Sequence, residues 1–189
     1  MLLLKRIFRI TLPWLGFSLA ARYTPDRWID LLWAVFLLSQ IVISRRQLKA
    51  GNPMSWAATA LLTCLFANGY FNLFPWVNDH ATGLCFMTFA LTACLSVLLG
   101  APFTLSHAKA SVPPQFWSNP LFIQINRVIS LFWGLAYALD ALIILLRGAT
   151  APVLSQVACM SCIVGAVVFS EYYPAQMRKR AAAAAATAS

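Results

Sequence analysis

The sequence predicts an all-α fold: a polytopic transmembrane helical bundle with five full-length spans and a short sixth segment at the N-terminus. Two observations carry this. Of 189 residues, 61% are apolar and only 10% are charged, against roughly a quarter charged in an ordinary soluble domain. The mean hydropathy is +0.74. A soluble chain of this size must still clothe its surface in polar groups, so one water-facing core cannot hide this much hydrocarbon. The apolar residues also fall into runs long enough to cross a bilayer, and a backbone in hydrocarbon must pair its own amides, which makes each run a helix. A cytosolic enzyme, an extracellular disulfide scaffold and a disordered chain are excluded at this step.

The five runs are Trp28–Ser44, Pro53–Phe74, Leu84–Leu105, Ile123–Leu146 and Val153–Tyr172. Their breaks are Gly51-Asn52-Pro53, Pro75 through Gly83, Ser111 through Pro114 and Gly148 through Pro152. None of the runs alternates apolar and polar residues as a barrel strand would. Residues 1–21 form the sixth segment. Its apolar part, Ile10–Ala21, has twelve residues, about 18 Å of helix. It crosses only if Lys5, Arg6 and Arg9 snorkel to one interface. It also has the form of a signal peptide, with Ser18-Leu19-Ala20 as a small-x-small site, although Pro13 interrupts its apolar run early. Residues 1–177 are expected to form one membrane domain and 178–189 a basic, alanine-rich disordered tail.

The charge distribution orients the threading. Fourteen Lys+Arg against five Asp+Glu give a net +9. The cations are divided among small clusters between apolar runs, unlike the single basic face of a nucleic-acid binder. With six crossings, eleven of the fourteen basic residues fall on one side: the N-terminus, the 45–53 loop, the 106–127 region and the tail. Arg22, Arg27 and Arg147 fall on the other. The positive-inside rule assigns the richer side to the cytoplasm. Trp28, Trp56, Trp76 and Tyr172-Tyr173 lie at span ends, the level that indole and phenol rings favour. The expected partner is the lipid bilayer, with other inner-membrane proteins as candidates.

Chemistry-bearing residues are few. Asp140 lies inside an apolar run, two turns before Arg147, and a carboxylate at that depth faces a bundle interior or a cavity. By depth, Asn68 and Gln156 are its candidate companions. Two readings stand side by side: a proton or cation site, and a helix-packing hydrogen bond. Cys159 and Cys162 form a C-x-x-C whose sulfurs share a helix face. Its readings are thiol chemistry and small residues at a helix contact, and no basic residue lies nearby to activate a thiol. The five cysteines are too irregularly spaced for a disulfide framework. His80 and His107 lie outside the spans, which excludes an intramembrane haem pair. Phosphate loops, nucleophile elbows, H-E-x-x-H helices and paired carboxylates are missing. No catalytic residue, metal or cofactor is predicted.

The 101–127 stretch, APFTLSHAKASVPPQFWSNPLFIQINR, is too aromatic and proline-rich for an ordinary polar loop. It reads as a segment lying on the membrane surface, either a contact-making lid or a stiff connector. Pro102, Phe103, Thr104, Lys109, Pro113, Trp117, Asn126 and Arg127 are its candidate motif residues. The run P-F-T-L, A-K, V-P, F-W and N-R resembles uncharacterised bacterial inner-membrane proteins that share it. More distantly, Leu12-Pro13 before a short apolar helix, Tyr23 closing it, and Ile125-Asn126 opening a span with Trp133 resemble the intracellular septation protein A family. That resemblance implies a small polytopic inner-membrane protein linked to envelope synthesis or division, with no catalytic activity. Three functions are thereby open. They are non-enzymatic support of envelope or septum assembly, an ion-coupled carrier using Asp140, and a thiol-active membrane enzyme using Cys159 and Cys162.

Overall fold

The computed structural model describes residues 26–110, 112–147 and 150–187, and among these every regular element is helical. The elements are α1 (Asp26–Lys49), α2 (Pro53–Phe71), α3 (Pro75–Asp79), α4 (Ala81–Leu98), α5 (Phe103–Lys109), a 3-10 turn (Pro114–Phe116), α6 (Pro120–Arg147) and α7 (Pro152–Thr187). The expected segment 1–21 lies outside the described residues. Four described helices are long and apolar enough to cross a membrane: Leu31–Lys49 of α1, Ala81–Leu98, Pro120–Leu146 of α6 and Val153–Ala184 of α7. The count differs from the expected five because α2 carries Ser55, Thr59, Thr63 and Asn68 among its apolar residues. Contacts gather into two units, Met1–Phe89 and Ala90–Ser189, with the boundary inside α4.

In the first unit α1 and α2 form an antiparallel hairpin. Gly51, at φ +70°, ends α1 in the left-handed region, where a side chain would be strained. The amides of Gly51 and Asn52 return to the carbonyls of Leu48 and Gln47, the paired closure that satisfies the last carbonyls of a helix. Asn52 then caps α2: its Oδ1 accepts from the amides of Met54 and Ser55 at 3.0 and 3.2 Å. Pro53 occupies the first turn, where no amide is needed. Ser55 donates its hydroxyl to Gln47 Oε1 at 2.7 Å, and Trp56 Nε1 donates to the Leu48 carbonyl. Leu65, Ala81 and Cys85 form a buried cluster with Trp33, Leu61 and Val77 packed on it.

The second unit comprises the end of α4, then α5, α6 and α7. The stripe Ile125, Ile129, Trp133, Ala136 and Asp140 is buried along α6. A second stripe, Leu131, Leu135, Leu139, Leu142 and Leu146, is exposed. Both follow the helical period, so α6 has a protein-facing and an apolar outward face. On α7 the buried positions are Ser155, Cys159, Ala166 and Val167. Phe132 stacks on Phe169 at 4.1 Å, and Trp133 Nε1 donates to Ser170 Oγ at 2.9 Å. These pairs register α6 and α7 as antiparallel neighbours. Gly134 admits the end of α4, since a Cβ there would stand 3.1 Å from Cys94 Sγ and 3.4 Å from Ala93 Cβ.

Several boundaries differ from the sequence expectation: α1 runs on from Ser44 through Lys49, so Arg45, Arg46 and Lys49 are helical rather than in a loop, and α3 with the start of α4 occupies the expected break from Pro75 to Gly83. The run predicted to continue to Leu105 stops as helix at Leu98, where Gly100 turns left-handed at φ +74° and the amides of Gly100 and Ala101 close on Val97 and Ser96. The run predicted to reach Phe74 stops at Phe71, with Asn72 at φ 47° closing it the same way. The tail expected to be disordered continues α7 through Thr187. Alanine has the highest helix propensity of all residues, and the helix already running through Arg180 supplies the nucleus that an isolated alanine run lacks.

Candidate functional site

Two places in the second unit gather the residues singled out by sequence. The first is the buried centre of the α6–α7 contact. Asp140 sits on the buried stripe of α6 with no solvent exposure. Neither carboxyl oxygen has a hydrogen-bond partner. The thiols of Cys159 and Cys162 lie beside this carboxyl, on successive turns of α7. They are close enough to interact with it electrically, yet neither makes a hydrogen bond of sound geometry to its oxygens. The Cys159 thiol reaches the Asp140 main-chain carbonyl instead, at 3.9 Å. Tyr137 lies one turn before Asp140, near enough for their charges to couple.

Ser155, one turn before Cys159 on α7, is the second orphan: its hydroxyl is buried without a partner. Sequence reading passed over it. Its four-residue spacing from Cys159 was the available signal, since both then share the buried face. Of the companions expected for Asp140, Gln156 is exposed. Asn68 belongs to the first unit, where its amide nitrogen donates to the Phe74 carbonyl at 3.1 Å and to Asn78 Oδ1 at 2.8 Å. Its Oδ1 accepts from the Phe74 amide at 3.0 Å. Asn68 thus closes the turn between α2 and α3. Among the described residues no group of three or more His, Cys, Asp or Glu side chains is arranged to hold a metal ion.

The second place is the segment after α4. Pro102 is fully buried and Phe103 nearly so. Ser96 Oγ accepts from the Phe103 amide at 3.1 Å while donating to the Ala93 carbonyl at 2.7 Å. Thr104 Oγ1 donates to the Asn126 carbonyl at 3.0 Å and meets Ser130 Oγ at 2.9 Å. Asn126 returns its amide to the Phe122 carbonyl at 2.8 Å. These bonds fasten the Pro-Phe-Thr run to the start of α6. Sequence reading singled out Pro102, Phe103, Thr104 and Asn126 as motif residues; the structure brings them together as one polar seam. Ser96 and Ser130, which complete it, went unnoticed because an isolated serine in an apolar run gives no signal.

Beyond α5 the chain turns outward. Pro113, Phe116 and Trp117 are exposed. Lys109 stands 5.3 Å over the Trp117 ring, a cation–π distance. Trp117 Nε1 donates to the Val112 carbonyl at 2.9 Å. Arg127 is exposed on α6. The outward end of the motif is therefore a small aromatic knuckle braced by a lysine and mounted on the buried seam.

Family models, curated proteins and solved structures were all compared with this chain, and none matches.

Proposed function

We propose that this chain is a bacterial inner-membrane protein that supports cell-envelope or septum assembly without catalysis, through helix contacts and the 106–122 segment. The observation that carries this reading is the mount itself. Thr104 and its partners fix the Pro-Phe-Thr run on α6 while Phe116 and Trp117 stay exposed at its end. Exposed apolar side chains held on a rigid base suit contact with another molecule.

In this reading α2 is a fifth crossing. Its threonines hide their hydroxyls in the helix, Thr59 on the Ser55 carbonyl at 2.9 Å and Thr63 on the Thr59 carbonyl at 2.8 Å. Such internal satisfaction is what hydrocarbon demands. The 45–53 segment, the 106–122 segment and the residues after 178 face the cytoplasm in this reading. The test is photocross-linking in cells from a photoreactive residue at Phe116. Capture of division or wall-synthesis proteins is the expected result. If the protein with a Gly/Ser linker in place of residues 110–119 still complements a deletion strain and still co-purifies the same partners after chemical cross-linking, the reading fails.

One observation favours a second function. A buried carboxyl with both oxygens unpartnered is the group an ion-coupled carrier uses, because it can take and release a proton or cation within the membrane. Asp140→Asn then abolishes flux in reconstituted vesicles while the protein stays folded; undiminished flux removes this reading. The thiol reading gains less. Cys159 is buried, and the pair occupies the helix contact rather than an accessible surface.

A further inference from the structure

We propose that one end of the second unit is a binding site for the headgroups of anionic phospholipids. Thr104 places α5 beside Asn126 and Ser130 of α6, so Lys109 and Arg127 lie toward the same end of the unit. The Trp133–Ser170 hydrogen bond fixes the register of α6 against α7. Two turns from Trp133 toward the start of α6 lie Asn126 and Arg127. Two turns from Ser170 toward the end of α7 lie Met177 and Arg178. The antiparallel register therefore gathers Lys109, Arg127, Arg178, Lys179 and Arg180 at one end, from three helices.

That end is nearly free of compensating acid. Between Asp79 and Asp140 there is no Asp or Glu, and Glu171 is the last acidic residue in the sequence. Arg127, Arg178, Lys179 and Arg180 are all exposed. Phe116 and Trp117, between Lys109 and Arg127 in the chain, are exposed at 45% and 37% of full accessibility, and Lys109 already stands over the indole. Cations at the phosphate level with aromatic rings at the glycerol level match the two layers of a lipid headgroup region. Tyr172 and Tyr173 place the end of the α7 span about one to two turns before the basic triplet, so those cations emerge at headgroup height. The cations alone would suit an acidic protein equally; the exposed rings add the apolar layer that an anionic lipid supplies together with its phosphate. This inference rests on the membrane reading, and it supplies a ligand for the same segment that the envelope reading uses.

The experiment uses the full-length protein in bilayers containing either photoactivatable phosphatidylglycerol or the matched phosphatidylcholine. Adducts are mapped by mass spectrometry. The expected result is labelling of the 107–119 and 175–181 peptides by the anionic probe in at least about five-fold excess, since each basic residue near an anionic surface contributes roughly that factor. The fivefold variant K109Q/R127Q/R178Q/K179Q/R180Q removes the excess, whereas Arg178→Lys with Arg180→Lys retains it. Inorganic phosphate in millimolar excess leaves the labelling unchanged; competition by it would assign the patch to a soluble anion and overturn the proposal. Equal labelling by both lipids overturns it as well and leaves the patch to an acidic protein. Failure of the chain to insert into either bilayer defeats the membrane reading itself, a result distinguishable from equal labelling.

Discussion

Thr104 bonds the Asn126 carbonyl and the Ser130 hydroxyl of α6 with one oxygen, while its amide donates to Ser130 Oγ at 3.4 Å, so removing the hydroxyl breaks both side-chain contacts between α5 and α6. Thr104→Val keeps the shape and loses both contacts. We expect it to destabilise the protein by about 1–2 kcal/mol, the upper range for hydrogen bonds between membrane helices, read as a lower thermal midpoint in detergent. Gly134 of α6 and Gly165 of α7 give a sharper contrast. A Cβ at Gly134 meets Cys94 Sγ at 3.1 Å, whereas a Cβ at Gly165 meets nothing within 4 Å. Gly165→Ala is therefore expected to stabilise by up to about 1 kcal/mol through helix propensity. Gly134→Leu is expected to cost about 1–3 kcal/mol through overpacking. If both midpoints move in the same direction, the α4–α6 approach is not as close as described. At this scale the sequence showed which residues were unusual but not what they touch. Asp140 stood out because a carboxylate in an apolar run is costly wherever it points. Ser155 did not, because serine is small enough to pass as packing.

The helices end through the same device three times. Gly51, Asn72 and Gly100 all adopt positive φ, and the amides that follow return to the last carbonyls. Asn52 goes further and starts the next helix with its own side chain while almost fully buried. Asn52→Ala should then cost about 1–2 kcal/mol, the upper range for a lost N-cap, measured by denaturant unfolding in detergent micelles. A loss below a few tenths of a kcal/mol would show that the hairpin does not depend on the cap. The approximate spans were legible because twenty apolar residues in a row have few other uses. Their exact ends were not. Leu99, Ala101, Phe103 and Leu105 continue the apolar run beyond Leu98, and hydropathy does not register that Gly100 has reversed the backbone. Helix α5 was hidden for the same reason: its apolar residues read as the tail of the preceding span.

Across the molecule, the apolar residues are sorted by helix face rather than withdrawn from the surface. Ile43, Leu98 and Leu99 are each at least 75% exposed, and the outward stripe of α6 is leucine throughout. Lipid chains are the solvent that makes such a surface stable. Spin labels at Val42, Leu95, Leu135 and Val157 should therefore be relaxed strongly by dissolved oxygen and weakly by a water-soluble nickel chelate. The reverse pattern at these positions would sink the bilayer reading. The helical character and the presence of helices apolar enough to cross a membrane were thus legible in the sequence, because they depend on summed hydrophobic area along a run and not on packing detail; five full spans were not borne out among the described residues. The seam between α5 and α6 was not legible, because it depends on which turn faces which.

Helix α7 has 36 residues, about 54 Å of rod, while the hydrocarbon layer is only about 30 Å deep. The surplus runs from Pro174 through Thr187 as continuous helix. A fluorescent protein or affinity tag joined after Thr187 would consequently ride on a stiff helical extension reaching about 10 Å beyond the Arg178–Arg180 cations. Its accessibility to antibodies or proteases would report directly which compartment that extension enters.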